Sequence, residues 1–135
     1  MLAAQQAALR AADVPELVEA LGWCSTFRDL REDLGAGIVN VPREVLLAAG
    51  IRTAPAIDAD ELLAAPPMRA WMMSERALAL ARLDATDARL RALRGRSGAR
   101  ALGVFARSVR NFASVRFAKR FPTLENPCSR SHRSA

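Results

Sequence analysis

The sequence predicts an all-α fold, because apolar residues recur at helical spacing along most of the chain. Of the 135 residues, 51 % are hydrophobic, and most of these are alanine and leucine, which favour helices. Aromatic residues make up 5 % of the chain and tyrosine is absent, a composition that argues against a β-sandwich. No segment alternates apolar and polar residues as a strand does, and the length suits one domain.

The first half of the chain predicts one substantial helix after a short one. Residues 1–12 are rich in alanine and predict a short first helix. Asp13 is a suitable cap for a second helix over residues 14–34, which Gly35 and Gly37 would end. The apolar residues of this second helix follow helical spacing. They are Leu17, Leu21, Cys24 and Phe27.

Two shorter helices are predicted next. After a brief extended link, the proline at the start of residues 42–49 favours a first helical position, and Gly50 ends that helix. A loop follows. Asp58 and Glu61 then form the pattern of a capping box, which opens a short helix over residues 59–65.

The second half of the chain predicts two longer helices joined by a turn. They cover residues 68–93 and 99–120, with the turn at 95–98. Residues 121–135 lack an apolar pattern and are predicted to be a disordered tail after a single helical domain, residues 1–120. The methionine, tryptophan and phenylalanine residues of both helices are interpreted as core. The predicted apolar faces contain Met68, Trp71, Met72, Leu78, Leu83, Leu90 and Leu93 in the first helix, and Leu102, Phe105, Val109 and Phe112 in the second.

Charge is distributed unevenly along the chain. The formal net charge is +6, made up of −5 in residues 1–66 and +11 in residues 67–135. A basic half can indicate binding to nucleic acid. Here the arginines are spread around the helices and few aromatics are available for stacking, so no nucleic acid is expected. Peripheral contact with a membrane is left open by the basic, amphipathic helices.

The cysteines, the histidine and the distribution of apolar residues limit the expected location and chemistry of the chain. Cys24 and Cys128 show no pairing pattern, which indicates a reducing, cytoplasmic location. One histidine, His132, gives no zinc-site spacing. The sequence has no apolar run of about 18 residues, the length of a membrane-spanning helix. Its start lacks the pattern of a secretory signal.

The most informative stretch is RDLREDL, in which Asp29 and Asp33 lie four residues apart. On a helix both carboxylates share one face, and Ser25 lies one turn earlier. The carboxylates repel each other near a helix C-terminus, and Mg²⁺ bound together with substrate phosphates would relieve that repulsion. The alternative is a solvated charged face, in which Arg28 and Arg31 pair with the nearby acids.

The string LGWCSTFRDLREDLGAGIVNVPREVLLAAGI, residues 21–51, resembles the second aspartate-rich segment of the squalene/phytoene synthase family. MRAWMMSERALALARLDATDARL resembles the long helix that follows in that family, and ARALGVFARSVRNFASVRFA resembles its last helix. Together they cover most of residues 15–120. The residues that carry the resemblance are Arg28, Asp29, Asp33, Gly35, Gly37, Val41, Pro42 and Gly50.

The resemblance implies an all-α, partial isoprenoid-synthase bundle and an activity. Members condense two prenyl diphosphates, such as farnesyl or geranylgeranyl diphosphate, head to head in squalene, carotenoid or hopanoid biosynthesis. By this resemblance Asp29 and Asp33 are the catalytic, Mg²⁺-binding residues. Arg28 and Ser25 are substrate-binding residues.

Two departures from the family pattern keep a second function open. Ser25 and Gly22 stand where members commonly have Asn and Gln, and no first aspartate-rich motif precedes Asp29. The chain is therefore expected to correspond to the C-terminal portion of the family fold, as a truncated or degenerate member that is inactive alone. The alternative function is a non-catalytic helical module. Such a module would bind a second copy of itself or a complementing helical partner.

Overall fold

The computed structural model describes residues 8–52 and 57–124, and these contain helices and connecting turns but no strand. The prediction of an all-α fold is thus confirmed. A π-helical segment, Phe112–Arg116, joins the last two α-helices, and short 3₁₀ turns occupy Ala11–Asp13 and Pro122–Leu124. The α-helices are α1 (Pro15–Gly35), α2 (Arg43–Ala48), α3 (Ala59–Ala64), α4 (Pro66–Ala92), α5 (Ala99–Asn111) and α6 (Phe117–Arg120).

The start of α1 differs from the prediction. Val14 is the N-cap residue and provides no side-chain cap, while the proline at position 15 takes a first-turn position in which a missing N–H costs nothing. The carboxylate of Asp13 instead accepts the backbone N–H of Arg10 at 2.8 Å. Asp13 is therefore not the cap of α1. The predicted helix over residues 1–12 lies partly outside the described residues, and its described end forms the 3₁₀ turn.

The end of α1 is a Schellman motif built around Gly37. Gly37 has a φ of 81°, which a glycine adopts without steric cost. Its N–H donates to the carbonyl oxygen of Leu34 at 3.1 Å, and the N–H of Ile38 donates to that of Asp33 at 2.8 Å. This pair of bonds reverses the chain at the helix end. The predicted stop was placed correctly, with Gly37 as the left-handed residue and Gly35 still inside the helix.

The short helices and the start of α4 lie close to their predicted positions. The Asp58 side chain accepts the N–H groups of Asp60 and Glu61 at 3.0 and 3.3 Å, so the predicted cap of α3 is confirmed. Pro66 and the proline after it form the first turn of α4, where their missing N–H groups are tolerated. Gly95, with a φ of 94°, contributes to the predicted turn between α4 and α5.

The π-helical segment sets the register of the last helix. In an α-helix, residues five apart point about 140° away from each other, whereas a π turn brings them onto one face. Phe112 and Phe117, which are five residues apart, both contact Trp23. The Nε of Arg76 donates to the carbonyl oxygen of Ala113 within the segment at 2.8 Å. The guanidinium of Arg76 also lies 5.3 Å from the centre of the Phe117 ring.

Helix α1 packs on α4 and buries one stripe of its surface. The stripe consists of Leu17, Ala20, Trp23, Phe27, Leu30 and Leu34. Around its centre lies an aromatic cluster, here Trp23, Phe27, Phe112, Phe117 and Phe121. The Trp23 ring centre is 5.4 Å from that of Phe27 and 5.6 Å from that of Phe117. Such ring pairs add to the free energy gained from burial.

Some predicted core residues are exposed, and the predicted tail contributes to the core. Leu21, Leu78 and Phe105 retain 36 %, 44 % and 58 % of their surface, although each was assigned to a buried face. Conversely, Phe121 and Leu124 are buried, so ordered packing continues past residue 120, where the tail was predicted to begin. Residues 125–135 lie outside the described part of the chain.

Ion pairs between helices explain much of the uneven charge. On α1, Glu16, Glu19 and Glu32 bind Arg89, Arg82 and Arg120 at 2.9, 2.8 and 2.8 Å. These three acids of the first half thus bind arginines of the second half. Exposed pairs contribute little each, but their directions all favour α1 docking onto α4 and α6. Among the described helices, none is both long and apolar enough to cross a membrane.

We expect Phe117→Ala to destabilise the fold by about 3–5 kcal/mol, because it removes a fully buried ring from the aromatic cluster. Phe105→Ala is the matched control, since the same atoms are removed from a largely exposed position. It should change the free energy of unfolding by less than about 0.5 kcal/mol. Urea unfolding followed by circular dichroism measures both, and equal losses would contradict the described core.

The pair of Glu16 and Arg89 should make stability depend on pH. Hydrogen bonds from Arg89 lower the pKa of Glu16 below its ordinary value of 4.5. A lowered pKa in the folded state stabilises the fold above the ordinary value, and that contribution is lost as pH falls through the folded-state pKa. Glu16→Gln should therefore melt a few degrees below the unmodified chain at pH 7.

The difference in melting temperature should shrink as the pH is lowered below 4.5. Glu75→Gln is the control, because Glu75 forms no ion pair among the described residues. Thermal melts from pH 7 to pH 3 make the comparison. A difference that stays constant across this range would show that the ion pair is not its source.

Candidate functional site

The side of α1 opposite its buried stripe is exposed and carries the predicted site. We call it the outer face of α1, defined by Val18, Gly22, Ser25 and Asp29, with Leu21 and Asp33 at its two edges. These residues recur at spacings of three, four and seven, so they share one side of the helix. Val18, Gly22 and Ser25 are exposed, and the Asp29 side chain retains 47 % of its surface.

The carboxylate of Asp29 forms an ion pair with the neighbouring Arg28. The Nε and Nη2 atoms of Arg28 donate to the two carboxylate oxygens of Asp29, each at 3.0 Å. These hydrogen bonds lower the pKa of Asp29 below its ordinary value. Asp29 is therefore an anion at neutral pH, and its carboxylate is available to a metal ion if Arg28 turns to another anion.

Asp33 lies at the other edge of the outer face. Its backbone carbonyl takes part in the Schellman motif, and the chain reversal brings the Asn40 side-chain amide to 3.4 Å from its carboxylate. Helical geometry separates Asp29 and Asp33 by one turn, with Cβ atoms about 5–6 Å apart. The sequence prediction that they share one side of a helix is consistent with this arrangement, although each carboxylate has its own local partner.

A basic groove opens beside Asp29. Its volume is about 380 Å³, and it is lined by Arg28, Phe112, Arg116, Lys119 and Arg120. Arg28 binds Asp29 and Arg120 binds Glu32. Arg116 and Lys119 form no ion pair with any residue in the described ranges. The groove therefore carries two uncompensated positive charges.

Sequence reasoning singled out Arg28 but missed the rest of the basic groove. Arg116, Lys119 and Arg120 lie nearly 90 residues further along the chain, and their approach to Arg28 depends on the rotation set by the π-helical segment. A signal was available, because RFAKR groups three cations within one and a half helical turns. The pattern alone did not indicate which helix they would face.

An apolar groove adjoins the other end of the outer face. It lies between α1 and α5, has a volume of about 200 Å³ and is lined entirely by apolar residues, with Val18 and Leu21 from α1 and Leu102 and Phe105 from α5. Leu21 precedes Asp29 by eight residues, which is about 12 Å along the helix axis. One side of α1 thus combines an apolar end with a charged end.

The residues fit a metal ion only together with a ligand. Within the described residues, no group of three or more His, Cys, Asp or Glu side chains is arranged to hold one. Two carboxylates and the Ser25 hydroxyl are hard oxygen donors of the kind that Mg²⁺ takes. Mg²⁺ commonly completes its shell with water and with the phosphates of a substrate. The donor set therefore suits a Mg²⁺–diphosphate complex better than the ion alone.

Cys24, the other candidate group among the described residues, packs against the core. It is half-buried against core residues of α1 and its neighbouring helices, and burial raises the pKa of its thiol. A raised pKa suits a small core residue rather than a nucleophile. Cys128 and His132 lie outside the described residues.

Comparisons with known proteins returned no family model, no curated protein and no solved structure that matches this chain. The likeness to the squalene/phytoene synthase family therefore remains a prediction from the quoted residues.

We expect Arg116→Gln/Lys119→Gln to weaken binding of inorganic diphosphate by at least about tenfold, because charge-assisted hydrogen bonds contribute about 1.5–3 kcal/mol each. Isothermal titration calorimetry measures the affinity. Arg43→Gln/Arg52→Gln removes the same charge from two exposed arginines that do not line the groove. Equal losses in the two variants would mean that overall charge, not the basic groove, attracts the anion.

Proposed function

We propose that the outer face of α1 and the basic groove form a Mg²⁺-dependent site for a prenyl diphosphate, as in the squalene/phytoene synthase family. The reaction class is the head-to-head condensation of two prenyl diphosphates. The observation that carries the proposal is the position of Arg28. It lines the basic groove while binding both carboxylate oxygens of Asp29. The Arg28 side chain therefore contacts both the proposed anion-binding groove and the proposed metal-binding carboxylate of Asp29.

In this proposal the diphosphate occupies the basic groove and releases Asp29. Arg28 exchanges the Asp29 carboxylate for a phosphate oxygen, a partner that a guanidinium also binds in a bidentate manner. Arg116 and Lys119 supply further positive charge. Asp29 and Asp33, with Ser25 beside them, are left to hold the cation. Because the repulsion between the two carboxylates is then relieved, metal and diphosphate should bind cooperatively.

The negative charge of the bound diphosphate determines what the cation and the surrounding residues would do. Mg²⁺ would neutralise the diphosphate as it leaves the prenyl carbon. The residues of the chain would orient the diphosphate and balance its negative charge. An apolar surface is needed beside the reacting carbon, since water would capture an allylic cation. Val18 and Leu21 provide such a surface along α1 and lead into the apolar groove.

The shape of the site also suits an amphiphile. A diphosphate near Asp29 and an isoprenoid chain directed toward Leu21 would follow one side of a single helix over about 12 Å. Both groove volumes are modest, at about 380 and 200 Å³. The two grooves lie open at the surface of this chain, so a complete reaction chamber would need a further wall.

The second candidate function, a non-catalytic helical module, is favoured by the exposure of apolar residues on α1 and α5. Val18, Phe105 and Leu21 form an apolar surface on α1 and α5, which a partner helix could cover. The pairing of Asp29 with Arg28, and of Arg31 with Asp60, also agrees with a charged surface whose role is local. Only ligand binding separates the two functions.

We expect farnesyl diphosphate to change the tryptophan fluorescence of the purified chain in a saturable way only when Mg²⁺ is present. Trp23 is a suitable reporter, because its ring lies 5.5 Å from that of Phe112, which lines the basic groove. Asp29→Asn/Asp33→Asn should weaken binding at least about tenfold, since metal-ligand changes commonly cost that much or more. Mg²⁺ without diphosphate should give no signal.

Asp84→Asn/Asp87→Asn is the matched control. It removes two aspartates that lie three residues apart on α4 and bind Arg110, away from the proposed site. This variant should bind as the unmodified chain does. Binding that is absent, or that ignores both metal and the Asp29/Asp33 change, would refute the proposed site and leave the non-catalytic module as the better reading.

A further inference from the structure

A second basic surface lies at the turn between α4 and α5, away from the groove described above. We call it the arginine hairpin, defined by Arg91, Arg94, Arg96, Arg100 and Arg107. These residues surround an open groove of about 840 Å³ between the end of α4 and the first turns of α5. The glycines in the turn, Gly95 and Gly98, have positive φ values of 94° and 92° and let the two helices fold back on each other.

The positive charge of the arginine hairpin is largely uncompensated. Asp87 is the one acidic residue among those lining the groove, and it binds Arg110, as does Asp84. Four arginines form no salt bridge among the described residues; they are Arg91, Arg94, Arg100 and Arg107. Between Asp87 and Glu125 the sequence holds ten basic residues and no acidic one. A partner that contacts this surface must therefore be an anion.

One exposed apolar side chain, Val104, lies beside these arginines, and a second, Phe105, follows about 100° further around α5. Val104 is one turn from Arg100 and just under one turn from Arg107 on α5, and it retains 62 % of its surface. The next residue, Phe105, retains 58 % and borders the apolar groove. The exposed side of α5 thus changes from guanidinium groups to aliphatic and aromatic groups around the helix.

This combination fits a membrane surface better than a nucleic acid. At an anionic membrane, arginines meet lipid phosphates while neighbouring apolar side chains enter the boundary with the acyl chains. A nucleic acid would leave Val104 without a contact, and it would offer stacking partners to one aromatic side chain only. The groove is also open and broad, which suits many headgroups rather than one small anion.

We propose that the arginine hairpin docks this chain onto a membrane that contains anionic phospholipids, with Val104 inserted beside the headgroups. The contact is peripheral. It does not depend on the proposed prenyl diphosphate site, since it uses different residues. The two surfaces would be compatible, because a chain that binds an isoprenoid lipid would meet its ligand at such a surface.

The test measures binding of the purified chain to sedimented vesicles. Vesicles of phosphatidylcholine alone are compared with vesicles that also contain phosphatidylglycerol, at low and at physiological salt. We expect binding only to the anionic vesicles, weakened by salt. Arg100→Gln/Arg107→Gln should weaken partition at least about tenfold, because each basic residue near an anionic surface contributes about fivefold. Circular dichroism checks that the variant keeps its helices.

Two control variants remove the same charge elsewhere. Arg43→Gln/Arg52→Gln and Arg116→Gln/Lys119→Gln should both bind anionic vesicles much as the unmodified chain does. Equal losses in all three variants would overturn the proposal, because net charge alone would then explain binding. Equal binding to neutral vesicles, or a preference for duplex DNA over anionic vesicles at physiological salt, would overturn it as well.

Discussion

The packing of Trp23 against Phe112 and Phe117 is the contact on which the rest of the structure depends. These two phenylalanines reach one indole ring because a π-helical segment shifts the last helix by part of a turn. A regular α-helix would direct one of them into solvent. The Arg76 side chain supports the shifted backbone through the Ala113 carbonyl. The register of the C-terminal helix relative to α1 is thus set by aromatic packing rather than by loop length.

The register of the C-terminal helix relative to α1 determines which charged residues lie close together. With Trp23 and Phe27 buried, the rotation of α1 is fixed, and Asp29 must lie on the exposed side. Arg116 directly precedes Phe117 and Lys119 follows it by two residues, so the same contact places both cations in the groove that Arg28 also lines. Charge and core are therefore not independent features. A substitution that disrupted the packing of the aromatic cluster would also separate the residues that line the basic groove, even though none of the groove's cations is buried.

Local signals predicted the helices well, and non-local packing accounts for the misses. Gly37 and Asp58 act through their own backbone and neighbours, so the C-terminal end of α1 and the start of α3 were readable from the sequence. The predicted cap at the start of α1 was wrong, because Asp13 binds the backbone of Arg10 instead. Leu21 and Phe105 fit a helical stripe yet are exposed, because the neighbouring stripe is buried instead. Asp29 and Asp33 were predicted as a site from local spacing, and Arg28 from the family resemblance, whereas Arg116 required the π-helical register. No sequence periodicity encodes that register.

The ion pairs suggest how structural charge can be told apart from functional charge in this chain. Glu16, Glu19 and Glu32 each take an arginine from another helix, so those arginines are used in holding α1. Among the described arginines that form no salt bridge, those that cluster lie in two places. Arg116 lies in the basic groove, and Arg91, Arg94, Arg100 and Arg107 lie in the arginine hairpin, whereas Arg10, Arg43 and Arg52 lie apart from both. Like charges crowded without counterions destabilise a fold. External anions would neutralise these two clusters, which is the physical basis for proposing a diphosphate at one surface and lipid phosphates at the other.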